Sequence, residues 1–317
     1  MRYVIYGAGA VGGVVGGNLH RAGIATTLIA RGAHLKALQE TGLTLDTAEG
    51  PLTQRIPAVD GPAVVEWTDD TVVLLCVKGQ QTEAALDALS DHAPTDTPVV
   101  AVQNGVANEA RILRRFAGTY AIHVVLPATF LVPGVVVQNS DTVPGVLDIG
   151  RFPDGTDEVA EAVAADLTAA GFISEPRPDI MAWKYRKLIN NLGNGVDAVA
   201  AESPEAHELV RRCQIEGEAV IAAAGIPVAT REQDTERRRG TIALRQVGKG
   251  SSTWQSLARG AGDVEIDYLS GEIVLLGRLH GVPTPANELV QRTVHELLRT
   301  GGEPASLDAA KLLAQLD

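Results

Sequence analysis

Bulky and β-branched residues alternate from Arg2 to Tyr6 and stop at Gly7. After a glycine-rich interval, Val11, Val14, Val15 and Leu19 recur at helical spacing as far as Gly23, and a second apolar run, Ile24 to Ala30, ends on Arg31. This pattern predicts strand, turn, helix and parallel strand in immediate succession. Continuous apolar runs at Thr71 to Val77 and Val99 to Val102 read as central strands of a parallel sheet covered on both faces. Each leads through a polar loop into a helix, Thr82 to Leu89 and Ala107 to Phe116. Further strands are predicted at Tyr120 to Leu126, Val135 to Gln138, Gly145 to Ile149 and Phe172 to Ser174, with a hairpin-like excursion over Leu43 to Pro57. Short helices are predicted at Ala33 to Glu40 and Glu158 to Ala170.

Pro176 and Pro178 punctuate the chain, and from Asp179 onward the strand signal disappears. Helical periodicity then runs over Ile180 to Ala201, Pro204 to Ala224, Gln233 to Val247, Ser252 to Gly260, Ile266 to His280 and Asn287 to Leu297. The expected fold is α/β: an N-terminal Rossmann-type doubly wound sheet in residues 1–177, followed by an all-α C-terminal domain in residues 178–317. A length of 317 residues gives each part enough chain for its own core.

Charge narrows the partners. With 27 basic against 39 acidic residues the net charge is −12, which disfavours nucleic acid, and the Arg237-Arg238-Arg239 run follows three acidic residues as a solvated helix face would. The longest apolar stretch, Val124 to Val137, is broken by Pro127, Pro133 and Gly134, so no membrane span is expected. Cys76 and Cys213 fit neither a disulfide framework nor a metal site, and a reducing cytoplasm suits them.

The first turn carries a G-x-G-x-x-G motif, Gly7, Ala8, Gly9, Ala10, Val11, Gly12. Gly7 permits the tight turn, Gly9 lets a pyrophosphate approach the backbone, and Gly12 lets helix pack on strand. Phosphates then meet the free N–H groups and positive end of the helix. An NAD protein would place an acid near position 31 for the ribose hydroxyls; here Arg31 stands there, and neither Asp nor Glu occurs between Gly12 and Glu40. A guanidinium binds a 2′-phosphate, so NADP(H) is the expected cofactor. Lys78 and Asn104 both follow strands, on the edge where ligands bind in such sheets.

Reducing a ketone requires a general acid and donors that fix the substrate. Lys187 and Asn191 are four apart on one helical face; the alternative is a surface lysine with a capping amide. Ser251-Ser252 and Glu265-Ile266-Asp267-Tyr268 open helices and equally suit plain caps. Asn104-Gly105 also suits an ordinary turn.

Together, GAGAVG with Arg31, Val77-Lys78, Gln103-Asn104-Gly105, Arg186-Lys187-Leu188 with Asn191, Ser251-Ser252 and Glu265-Ile266-Asp267-Tyr268 resemble the ketopantoate reductase (2-dehydropantoate 2-reductase) family in order and spacing, to about Pro285. The resemblance implies NADPH-dependent reduction of a 2-keto acid in a cleft between domains, a step of pantothenate biosynthesis, and is compatible with a homodimer. It implies Lys187 as proton donor and Glu265 as the carboxylate near substrate and cofactor. Asn104, Asn191 and Ser252 would bind substrate, with Asn104 also near the nicotinamide, and Arg31 and Lys78 would hold the NADP moiety.

The sequence departs from the family pattern at Gly195, where a second Asn usually stands eight residues after the lysine; Asn194 is one residue early and is the substitute candidate. The gap from Ser252 to Glu265 is one residue longer than usual. Gly195→Asn is therefore expected to favour ketopantoate over other keto acids at little cost to the helix. The apolar run Val124 to Val132 supports a second reading, a same-fold oxidoreductase for a more hydrophobic carbonyl or alcohol. A third reading is a non-catalytic NADP(H) sensor, which would need no general acid.

Overall fold

In the computed structural model the described residues are 1–245, 250–258, 260 and 264–316, Leu131 by its backbone alone. The chain forms two compact units: Met1–Gln103, Asn108–Lys184 and Arg231–Val247 make the first, and Asn104–Ala107, Tyr185–Thr230 and Gly248–Asp317 the second. The units thus interleave along the sequence, whereas a single cut near Arg177 would separate two continuous halves.

The first unit contains strands β1 (Arg2–Tyr6), β2 (Thr26–Ile29), β3 (Leu43–Thr47), β4 (Gly50–Gln54), β5 (Ala58–Val59), β6 (Thr71–Leu75), β7 (Val99–Ala101), β8 (Thr119–Val125), β9 (Ala128–Val132), β10 (Val135–Gln138) and β11 (Val146–Arg151). Between and after them lie helices α1 (Ala10–Arg21), α2 (Gly32–Glu40), α3 (Thr82–Ser90), α4 (Asn108–Leu113) and α5 (Glu158–Ala169). The main sheet has the order β11-β8-β7-β6-β1-β2-β5 and is parallel except for β11 against β8. Alternation in β1 sends Tyr3 and Ile5 into one core with Val14, Val15 and Leu19 of α1. Val4 and Tyr6 point to the opposite face, against Leu86 and Leu89 of α3 and Ile112 of α4. Both faces are buried, as the doubly wound pattern requires, each large side chain contributing about 1.5–3 kcal/mol.

From β1 the chain passes to β2 on one side, while β6 lies on the other side. The glycine turn after β1 and the Lys78 loop after β6 therefore flank the point where strand order reverses, the ligand-binding crevice of such sheets.

A second sheet, β4-β3-β10-β9, was not expected from the sequence pattern. The hairpin β3–β4 and strand β10 are as expected, but β10 pairs parallel with β3, Val136 opposite Leu45, and β9 fills the apolar run after Pro127. Its inner face covers α1: a Cβ on Gly13 would meet Val136 Cγ1 at 2.6 Å.

The C-terminal half is helical as expected, with α6 (Ile180–Asn191), α7 (Gly193–Val199), α8 (Pro204–Ala223), α9 (Arg231–Arg238), α10 (Ser252–Ala258), α11 (Ser270–His280), α12 (Pro285–Thr300) and α13 (Ala309–Leu313). The helix expected over Ile180 to Ala201 is interrupted at Leu192, whose N–H bonds Ile189 O at 3.2 Å, a tightened turn beside Gly193 and Gly195. Glu216 of α8 caps α12, accepting from the N–H groups of Ala286 (2.8 Å) and Asn287 (3.0 Å).

The helix expected over Gln233 to Val247 stops at Arg238. Beyond Gly240, at φ +64°, the chain is extended and Leu244 bridges to Ser140; Gln246 and Val247 lie outside the described residues. Nor is Arg237 on a solvated face: it reaches the buried Asp148 carboxylate through Nε at 2.9 Å and Nη2 at 2.5 Å, and Arg177 Nε meets the same carboxylate at 2.7 Å. Burial alone would raise the Asp148 pKa, but these two guanidinium groups outweigh it and hold it below the usual value. This clamp explains why α9, from the helical half of the sequence, packs with the first unit.

Candidate functional site

Gly7 adopts φ +103°, and a Cβ there would press on the backbone N of Val77 at 2.9 Å. A Cβ on Gly12 would overlap the Gly7 carbonyl oxygen and touch Ile5 and Cys76. These two glycines are thus required by backbone and packing. Gly9 differs: it precedes α1 as its N-cap, and nothing lies within 4 Å of where its Cβ would be. The first turn of α1 carries no acidic side chain. Open space beside Gly9 and an uncompensated helix N-terminus fit a pyrophosphate. Ala8 is buried, and Ala10 and Val11, half-buried, begin the helix.

Arg31 caps α2 with extended backbone, and its exposed side chain makes no hydrogen bond or ion pair among the described residues. It is available to a 2′-phosphate. Lys78 is half-buried between Val77, whose carbonyl accepts from Gln103 Nε2 at 2.6 Å, and Gly79, whose carbonyl accepts from Arg111 Nη1 at 3.1 Å. Those bonds tie the Lys78 loop to the end of β7 and to α4.

In the second unit, Asn191 Nδ2 donates to Asn104 Oδ1 at 3.2 Å. The loop carrying Asn104 also abuts the 3-10 turn Glu265–Tyr268: a Cβ on Gly105, at φ +79°, would sit 2.8 Å from the Tyr268 carbonyl oxygen. Asn104, Asn191 and the Glu265 turn are therefore neighbours, although far apart in sequence. Lys187, half-buried, lies one turn before Asn191 on the same face of α6, and Glu265 is half-buried. Arg186 is structural: Nε donates to Ala229 O at 2.6 Å and Nη1 meets Glu218 at 3.2 Å.

The cap of α10 is Ser251, whose Oγ accepts from the Trp254 N–H at 3.3 Å and donates to Asn194 O at 3.1 Å. Ser252 is exposed, and its hydroxyl makes no hydrogen bond among the described residues. The capping role thus falls to Ser251 and not to Ser252. Asn194 is half-buried on α7, with its side-chain amide likewise unengaged among the described residues.

Gly195 corrects an expectation. A Cβ there would meet Val290 Cγ1 at 2.6 Å and Ile266 Cδ1 at 2.9 Å, so the position faces packed apolar side chains. Helix propensity would favour replacing this glycine, but overpacking outweighs it. Gly195→Asn should destabilise the protein by about 1–3 kcal/mol rather than install a substrate contact. Urea denaturation measures this; an unchanged midpoint would contradict the packing.

Among the described residues there is no group of three or more His, Cys, Asp or Glu side chains placed to hold a metal ion, and no helix is long and apolar enough to cross a membrane. Burial raises the thiol pKa of both free cysteines, Cys76 and Cys213.

The family model "Ketopantoate reductase PanE/ApbA" matches residues 3–154, and its C-terminal counterpart matches residues 179–298. A 2-dehydropantoate 2-reductase of Halobacterium salinarum is 30% identical over 94% of this chain and 98% of its own. A ketopantoate reductase family crystal structure from Ralstonia eutropha superposes with a TM-score of 0.81 at 30% identity, covering 95% of this chain and 99% of that one. D-mandelate dehydrogenase in a ternary structure with NADH and anilino(oxo)acetate has a TM-score of 0.82 at 25% identity, covering 96% and 100%. With both family models matched in order and full-length relatives on the same fold, the chain belongs to the ketopantoate reductase family of oxidoreductases.

Proposed function

We propose that this protein catalyses NADPH-dependent reduction of a ketopantoate-like 2-keto acid to the 2-hydroxy acid. The observation that carries the reading is the Asn191–Asn104 amide pair with Lys187 one turn before it. Residues 1–177 are assigned to the dinucleotide and residues 178–317, joined by Asn104, to the substrate. NADPH would supply the hydride to the carbonyl carbon. The Lys187 ammonium gives its proton to the developing alkoxide, and the Glu265 carboxylate balances its charge. Because Asn104 Oδ1 is occupied by Asn191, the donor end of the Asn104 amide is left to hold substrate oxygens, beside Ser252 and Asn194. The presence of Lys187 one turn from the Asn191–Asn104 amide pair argues against a sensor, which binds a dinucleotide without needing an acid.

A second reading is a different, more hydrophobic carbonyl substrate: the amide usual for ketopantoate is absent at Gly195, and that position is filled by the packing of Val290 and Ile266, so no amide can be restored there. The fold neighbour with an aryl keto-acid analogue, D-mandelate dehydrogenase, supports the same direction.

The cofactor choice rests on Arg31, since that neighbour was solved with NADH. Arg31→Ala should weaken NADPH about 10- to 150-fold, the loss of a charge-assisted hydrogen-bonded pair of about 1.5–3 kcal/mol, while NADH changes little. Fluorescence titration of both cofactors tests this. Equal loss for both, or a wild type that prefers NADH, would remove Arg31 as the phosphate clamp.

A further inference from the structure

His34, near the start of α2, bridges two loops. Its Nε2 lies 2.7 Å from the Ala8 carbonyl oxygen in the glycine turn, and its Nδ1 accepts from the Gly134 N–H at 2.9 Å. Gly134 lies in the turn between β9 and β10, and Phe130 of β9 meets the imidazole edge-on, ring centroids 4.7 Å apart. A backbone N–H can only donate, so Nδ1 must be the unprotonated nitrogen and Nε2 the donor. The ring is therefore neutral and held in one tautomer. Burial shifts its pKa down, against the smaller upward effect of the Ala8 bond.

In a trans peptide the C=O and the following N–H point in opposite directions. Fixing the Ala8 carbonyl toward His34 turns the Gly9 N–H away from it. Gly9 is the residue with open space beside it.

The geometry points to His34 as a positioning residue for the phosphate-binding turn, holding the Ala8–Gly9 peptide so that the Gly9 N–H is presented to the cofactor's pyrophosphate. This rests on the reading that the turn binds NADP(H). Sequence reasoning missed it because a single histidine in a short helix carries no motif, and its partners are backbone groups.

Protonating Nδ1 would set one N–H against another and release the Gly134 bond. No other titratable side chain occurs in the glycine turn (Gly7 to Gly12) or in β9 and its turn (Ala128 to Gly134); on α2 itself, Arg31 and Lys36 are exposed and Glu40 ends the helix. Because the folded pKa is depressed below 6.5, both bonds are in place above that value; as pH falls through the folded pKa the Gly134 half of the clasp is lost, leaving the ring tethered by Nε2 to Ala8 alone.

The test is NADP⁺ affinity by calorimetric titration between pH 5 and 8 for wild type, His34→Ala and His34→Gln. Glutamine retains one donor and one acceptor at the amide end. His34→Ala should weaken binding about 3- to 10-fold at pH 7.5, with His34→Gln near wild type. The ratio of wild-type to His34→Gln affinity cancels the titration of the ligand's own phosphate, and it should fall at acid pH. Equal affinity of His34→Ala and wild type, equal loss in both variants, or a pH-independent ratio would overturn the inference. Wild type that binds no NADP⁺ at all would instead overturn the cofactor reading.

Discussion

Lys187→Ala should lower turnover by about 10²–10⁴-fold, the usual cost of removing a positioned general acid, while NADPH affinity changes little. The separation follows from the fold. The glycine turn, Arg31 and Lys78 belong to the first compact unit, whereas Lys187, Asn191, Asn104 and Glu265 belong to the second. An alanine at position 187 would remove the proposed proton source and leave the proposed phosphate contacts of the first unit in place. Lys187→Arg should rescue poorly, because guanidinium keeps the charge but does not release its proton near neutral pH. Single-turnover hydride transfer and fluorescence titration read the two halves separately. Turnover surviving the alanine change within a few-fold would remove Lys187 as the proton donor.

Glu109→Ala is expected to cost about 3–5 kcal/mol of stability, the range for leaving one partner of a buried pair alone. Lys184 lies three residues before Lys187 on the same helix but has a different task. Its Nζ is 2.6 Å from Glu109 Oε1 and donates to Gln103 O at 2.9 Å, and both side chains are at most 3% exposed. Glu109 Oε2 has no donor among the described residues, so the ion pair carries nearly all of its compensation. Without the carboxylate, the ammonium would be buried against carbonyl groups alone. A urea midpoint within experimental error of wild type would show that water reaches this pair. Of the two lysines on α6, Lys184 thus locks the first unit, and the proposed role on substrate rests with Lys187.

Local periodicity made much of the fold legible. β1, the glycine turn, α1 and β2 are each specified by neighbours in sequence, and Gly7 and Gly12 stand where backbone and packing demand them. Long-range pairing was not legible. The parallel match of β10 with β3 depends on two apolar runs with no local sign of one another. The docking of α9 depends on Asp148, a single acid inside a strand, meeting Arg237 and Arg177. The break at Leu192 puts Lys187 and Asn191 on α6 but Asn194 and Gly195 on α7, so counting eight residues on from the lysine along one continuous helix does not give the direction of position 195. At the candidate site, residue types and spacing suggested Asn104 and Asn191, but that one amide holds the other needed coordinates. Ser251 and Ser252 are adjacent and chemically alike; only the capping bond tells them apart.

The central claim is tested most directly by following NADPH absorbance with purified protein against ketopantoate and a panel of alkyl and aryl 2-keto acids. Saturable NADPH oxidation with at least one of them, yielding the 2-hydroxy acid and lost in Lys187→Ala, is the predicted result. NADPH that binds tightly but is consumed with no 2-keto acid would contradict it and leave a dinucleotide-binding protein without this reaction.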